Sequence, residues 1–223
     1  MEYMTEAVDK LIDCYDRGIS PFSVYDGNEI DRLVSDPDGQ IRAWLAKALV
    51  GDFGNPDSLK YLCRLASDPE SDVRVEAIDS LSEYICEDSL RVLTGALNDP
   101  DSLVRGYAAF GVSNVGKIIS PSESSGALLS LECKEKDEFV LVGIYEGLYM
   151  LGSESYLDRL ISLFSSDDYH IQCAVIRSLE NVLSERNAEQ IGSFLDETDI
   201  AEYPVAVSCA VEELRKTLTG IVR

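Results

Sequence analysis

The chain has 223 residues, 41 of them acidic and 19 basic, for a net charge of −22. A field of that sign repels phosphate backbones and anionic bilayers, so neither nucleic acid nor a membrane is an expected partner, and a basic protein is favoured. Hydrophobic residues make up 45%, ordinary for a folded protein. The six cysteines (Cys14, Cys63, Cys86, Cys133, Cys173 and Cys209) form no C-x-x-C pair, and most lie in apolar helical runs. They read as small hydrophobes in a reducing compartment. The opening Met1-Glu2-Tyr3-Met4-Thr5-Glu6 lacks the basic start and apolar core of a signal peptide, which points to the cytoplasm. The longest apolar stretch, 140–151, is interrupted by Glu146 and is too short to span a bilayer.

In chain order, 5–15 is an amphipathic helix with Ala7, Val8, Leu11, Ile12 and Tyr15 on one face, suited to capping the end of a stack. A loop, 18–27, follows, with Phe22 and Tyr25 as its anchors, and then a short helix over 28–35. From here a phrase recurs. It reads Asp36-Pro37-Asp38-Gly39-Gln40-Ile41-Arg42, then Asp68-Pro69-Glu70-Ser71-Asp72-Val73-Arg74, then Asp99-Pro100-Asp101-Ser102-Leu103-Val104-Arg105. The Arg returns after 32 residues and again after 31, a period that marks a stack of like units. Pro ends one helix, and the residues after it (Asp38, Ser71-Asp72, Asp101-Ser102) are good caps for the next.

The helix behind each phrase carries an aliphatic residue followed by apolar or small residues four, seven and eight positions on, which is one helical face. The copies are Ile41/Leu45/Ala48/Leu49, Val73/Ala77/Ser80/Leu81 and Val104/Ala108/Gly111/Val112. Two later copies keep the face without Asp-Pro or Arg: Val140/Ile144/Gly147/Leu148 and Ile171/Val175/Ser178/Leu179. The seventh position is small in all five, so a neighbouring helix can approach there. The spacing predicts second helices over 40–51, 72–86, 102–117, 137–151 and 169–183. Their first partners fall over 56–67, 88–98, 124–133 and 155–164, with a last pair over 187–195 and 203–218. The segment 120–126 is expected to be a loop absorbing about five inserted residues. No strand pattern occurs.

The Asp-Pro turn, the aliphatic-Arg pair and the small-residue face resemble the HEAT repeat, especially its short bacterial form, over roughly 26–218 and most closely over 36–116. The resemblance implies an all-α fold, an α-solenoid of about six helix pairs. It forms one domain, 1–223, with a cap helix and loop over 1–25, regular repeats over 26–119 and more divergent ones over 120–223. It also implies that the second helices line the concave face.

Positions three, six and ten after each aliphatic point away from the seam. They hold Trp44 and Lys47, then Glu76, Asp79 and Glu83, then Tyr107, Phe110 and Asn114, then Glu146 and Met150, then Arg177 and Asn181. Aromatic anchors beside fixed charge are the make-up of protein-binding hot spots. Trp44, Glu76, Asp79, Glu83, Tyr107, Phe110, Glu146, Met150 and Arg177 are therefore the expected partner-binding residues, with core packing as the competing role for Trp44 and Phe110.

Reactive chemistry is poorly served. One histidine, His170, stands beside Asp167 and Asp168; no His/Cys cluster has metal-ligand spacing, and phosphate loops and nucleophile elbows are absent. No catalytic residue, metal or cofactor is expected. The expected function is a non-catalytic protein-binding scaffold, in its concrete form an acidic immunity protein or inhibitor that neutralises a basic partner such as a toxin nuclease. The alternatives are a subunit similar to HEAT-like phycobilin lyase subunits, and a regulatory scaffold of a larger assembly.

Overall fold

The computed structural model describes residues 2–53 and 55–221. Met1 and residues 222–223, which belong to the capping and divergent spans above, lie outside the described residues. The helices are α1 (Glu2–Arg17), α2 (Gly27–Leu33), α3 (Gly39–Ala48), α4 (Pro56–Leu65), α5 (Ser71–Leu81), α6 (Glu87–Ala96) and α7 (Ser102–Ile119). They continue as α8 (Pro121–Glu132), α9 (Glu138–Met150), α10 (Tyr156–Ser162), α11 (Tyr169–Val182), α12 (Ala188–Glu197) and α13 (Val205–Ile221). No strand occurs among the described residues. After α1 the helices form six successive pairs, the α-solenoid that the repeats predict.

The chain divides into two compact units, Met1–Ser124 and Ser125–Arg223. In the first, α1, α3, α5 and α7 pack side by side, α2 lies on α3, α4 on α5, and α6 on α5 and α7. Helix α1 is thus the first member of the second-helix row. In the second unit α9, α11 and α13 form the row, with α10 against α9 and α11, and α12 against α13. The loop after α1 is anchored as expected: Phe22 lies 6.0 Å from the Tyr61 ring, and the Tyr25 hydroxyl donates to the Ala7 carbonyl at 3.4 Å.

All five copies of the seam face are buried, Ala77, Gly111 and Ser178 included. The need for a small seventh residue is visible at Gly111, where an added Cβ would sit 2.7 Å from Leu93 Cδ2 and 3.3 Å from Ser82 Cβ. At the equivalent Ser80 the hydroxyl donates to the Ala46 carbonyl of the preceding repeat at 3.0 Å, so a small polar residue both fits and satisfies a helix end.

The recurring phrase is a joint with two functions. The residue before Pro closes its own turn: Asp36, Asp68 and Asp99 accept from the backbone N–H two positions on, at 2.9, 3.0 and 2.9 Å. The Arg six positions on returns to that same residue's carbonyl. Arg42 donates to Asp36 O at 2.6 Å, Arg74 to Asp68 O at 2.9 Å and Arg105 to Asp99 O at 3.0 Å. The guanidinium then reaches into the next repeat. Arg42 binds both Asp68 oxygens at 2.7 and 2.8 Å, and Arg74 binds both Asp99 oxygens at 2.8 Å. Such planar two-point pairing needs Arg and cannot be met by Lys. Burial pushes the Asp68 carboxyl up, but Arg42 and the Glu70 N–H outweigh it and hold the group below the ordinary range. In the divergent half, Gln172 keeps the backbone part alone, donating to Ser166 O at 2.7 Å.

Two local expectations are corrected. Residues 121–126 are not a loop: α8 begins at Pro121, one residue after α7 ends, and the inserted residues lengthen helices instead. The hairpin is this tight because Gly116 has no Cβ, which would fall 2.0 Å from Ser124 Oγ. Ser71 and Asp72 lie inside α5 and do not cap it. The cap position is Glu70, which makes no cap bond because its carboxylate turns back to Arg42 at 2.9 Å. The other second helices are capped by Asp38, Asp101, Asp137 and Asp168.

Arg42 and Asp68 side chains are 8% and 7% exposed, so Arg42→Ala strands a buried carboxylate and is expected to cost about 3–5 kcal/mol in urea unfolding. Gln172→Ala, which loses a neutral bond, is expected to cost about 1 kcal/mol. Gly111→Ala should destabilise by roughly 1–3 kcal/mol through overpacking. Gly95→Ala, with open space around the added methyl, should stabilise by about 0.5–1 kcal/mol. The pH limits follow from groups at the joints. Because the folded Asp68 pKa is depressed, its contribution is complete above about pH 4 and is lost as pH falls through the folded value. The hydrogen bond to Asp31, then burial, pushes the Tyr61 hydroxyl up to about 12, and burial, then the Asp52 charge, pushes Tyr84 up to about 12. Their contribution is complete below about pH 10 and is lost as pH rises through about 12, which thermal melts across pH will check.

Candidate functional site

The row of second helices in the first unit brings seven of the predicted positions onto one face. Helix α3 contributes Trp44 and Lys47, α5 contributes Glu76 and Asp79 with Glu83 just beyond its end, and α7 contributes Tyr107 and Phe110. Trp44, Lys47, Glu76, Tyr107 and Phe110 are half-buried, while Asp79 and Glu83 are exposed. The three aromatics are thus neither fully buried in the core nor fully exposed. Asn114 is bound to the protein itself, its amide donating to the Ser82 carbonyl at 3.0 Å.

Lys47 is the centre of this face. Its ammonium lies 5.5 Å from the Trp44 ring centre, 5.3 Å from the Tyr15 ring centre and 3.6 Å from Glu76 Oε2. These distances bind a cation through two ring faces and one carboxylate. The four residues come from three adjacent helices, α1, α3 and α5, and Tyr15 remains 40% exposed. The sequence reading placed Tyr15 on the packing face of the cap helix and left it out of the site. Its signal was available only through the packing of α1 beside α3.

The second unit treats its predicted residues differently. Glu146 is 5% exposed and is corrected from a surface to an interior residue. Helix α9 is buried on every side from Val142 to Leu148, and Asn181 of α11 donates to Glu146 Oε1 at 3.3 Å. Met150 is half-buried and Arg177 is exposed on α11. A second cation-and-ring cluster sits here, with Arg159 4.5 Å from the Tyr145 ring and 5.1 Å from the Tyr156 ring, and paired to Glu132. Tyr145 is buried, so this cluster is a brace between α9 and α10.

Two of the groups with displaced protonation lie at structural joints. Asp68 is held down beside Arg42, and Tyr61 is pushed up by its 2.7 Å bond to Asp31. Burial also pushes the thiols of Cys14, Cys63 and Cys173 up, and all six cysteines are free. His170 stands exposed at the start of α11 with its ring 3.9 Å from that of Tyr169. A shallow groove between α1 and α2 is lined by Glu6, Lys10, Tyr25, Glu29 and Arg32, and its Lys10 is paired with Glu6 at 2.8 Å. Among the described residues no three His, Cys, Asp or Glu side chains gather as a metal site, and no helix is long and apolar enough to cross a membrane.

No curated protein shows significant sequence similarity to the chain. Several solved structures align with it. The complex of CpcE and CpcF of phycocyanin lyase from Nostoc sp. PCC7120 is 15% identical, with a TM-score of 0.48, covering 86% of this chain and 94% of that one. An engineered protein is 16% identical, with a TM-score of 0.44 and coverage of 88% and 97%. The archaeal HEAT-like repeats protein from Thermococcus onnurineus NA1 is 15% identical, with a TM-score of 0.33 and coverage of 89% and 99%. The family model that matches is that of HEAT repeats, over residues 30–113, the stretch that holds all three copies of the Asp-Pro phrase. Residues 30–113 of this chain are HEAT repeats.

Proposed function

We propose that the protein is a non-catalytic scaffold that binds a basic protein partner on the face formed by α3, α5 and α7. The observation that carries this is that Asp79, exposed on α5, and Glu83, exposed just beyond its end, belong to the element packed between α3, which carries the half-buried Trp44, and α7, which carries the half-buried Tyr107 and Phe110. Anchoring rings supply area at low entropic cost, and fixed carboxylates select for lysine and arginine. The net charge of −22 extends the same preference to the whole surface and steers a cationic partner inward. HEAT repeats suit such work, because stacked helices hold a long face rigid without help from the partner.

Binding, not chemistry, also fits the disposition of the titratable groups. Asp68 and Tyr61, whose protonation is displaced, bond across repeats, and burial disfavours the thiolate at three cysteines. In its most specific form the proposal is a cytoplasmic inhibitor or immunity protein that masks a cationic protein such as a toxin nuclease.

The test is capture from the source cell with the wild-type chain and with an Asp79→Lys/Glu83→Lys double variant. A basic protein should be retained by the wild type and lost from the variant. Its association rate with the wild type should fall on the order of tenfold or more between low and high salt. Retention by the variant, or an association rate indifferent to salt, would remove the proposal.

A further inference from the structure

We propose that Tyr15, Trp44 and Glu76 form a recognition box for a lysine or arginine side chain of the basic partner, and that Lys47 fills this box in the unbound chain as an internal stand-in. The inference deepens the binding role proposed above and rests on it. Two aromatic faces and one carboxylate converge on a single ammonium, at 5.3, 5.5 and 3.6 Å. That is the chemistry by which proteins take up cationic side chains, and here it is already shown to accept one.

Three features distinguish the box from a brace. It is open: Lys47 and Glu76 side chains are 34% and 31% exposed, and Tyr15 is 40% exposed. The Arg159 cluster, which is a brace, exposes its cation, with Arg159 48% exposed, but uses the buried Tyr145 and a carboxylate, Glu132, whose side chain is 14% exposed; the difference lies in the ring and carboxylate walls. Second, the occupant can leave. A lysine stem is flexible, and the ammonium, held by ring faces and one carboxylate at 3.6 Å, exchanges them for water at low cost. The repeat joints, by contrast, hold Arg42 by bonds of 2.6–2.9 Å. Third, the surroundings match the occupant: Asp79 and Glu83 continue along the same face from Glu76, so a basic segment entering the box meets further carboxylates. Self-occupancy also lowers the apparent affinity of the box for any free cation, since a ligand must displace Lys47 first.

Trp44 is the sole tryptophan, so its emission reports on the box directly. The experiment titrates a decalysine peptide into the wild-type chain and into Lys47→Ala, Lys47→Met and Lys60→Ala. All three variants change the net charge equally, from −22 to −23. Lys47→Met keeps the stem's packing should the alanine variant unfold, and Lys60, 72% exposed on α4, removes a charge elsewhere. Affinity by calorimetry should rise about tenfold in the Lys47 variants and stay at the wild-type value in Lys60→Ala. Trp44 emission should shift on binding, and adding Glu76→Gln should reverse the gain. Equal affinity in all four proteins with silent Trp44 emission, while Asp79→Lys/Glu83→Lys still weakens decalysine, would overturn the box and leave the acidic face standing. Decalysine binding to none of them would overturn both.

Discussion

The joint between repeats depends on one guanidinium. Arg42 ties the Asp36 carbonyl of its own turn to the Asp68 carboxylate of the next, at 2.6 and 2.7 Å, and Arg74 repeats the arrangement with Asp68 and Asp99. A turn between helices leaves carbonyls and N–H groups without helical partners, and at a buried joint water cannot serve them all. Each Asp therefore satisfies an N–H of its own turn while presenting both oxygens to the previous repeat's Arg. The stacking angle between pairs is set by hydrogen bonds of fixed direction, which apolar contact alone could not do. Glu70 illustrates the priority: it forgoes its cap position to reach Arg42.

Around this joint the other constraints fall into place. The small seventh residue lets α6 close on α7 until a methyl at Gly111 would strike Leu93. Helix ends stop where they must: Gly18 and Gly152, at φ of 60 and 99°, allow the chain to turn back so that Ile19 N–H bonds Cys14 O and Ser153 N–H bonds Leu148 O. The side of each second helix away from the seam carries a different set, with Trp44 on α3, Asp79 on α5 and Phe110 on α7.

The acidic balance and the rings do different work. Charge spread over the surface acts at a distance and is screened by salt, so in the binding role proposed above it would set how often a basic partner arrives. Rings and carboxylates held on α3, α5 and α7 would act at contact and set what stays. Lys47 lies where the two meet, a cation held within the negative face by Tyr15, Trp44 and Glu76.

The linear chain by itself determined the repeat, the pairing of helices and the buried face, because a helical seam repeats every few residues and is written locally. Asp36, Pro37, Ile41 and Arg42 announce their roles by spacing alone. It also marked positions away from the seam, since they follow from the same count. Only the tertiary structure decided which of those positions meet solvent. Glu146 obeys the same spacing as Asp79, yet α9 is enclosed and α5 is not. The tertiary structure alone also joined Tyr15 to Trp44, Lys47 and Glu76, residues of three different helices. Periodicity describes one helix at a time, whereas burial and convergence are properties of neighbours that the chain brings together only on folding.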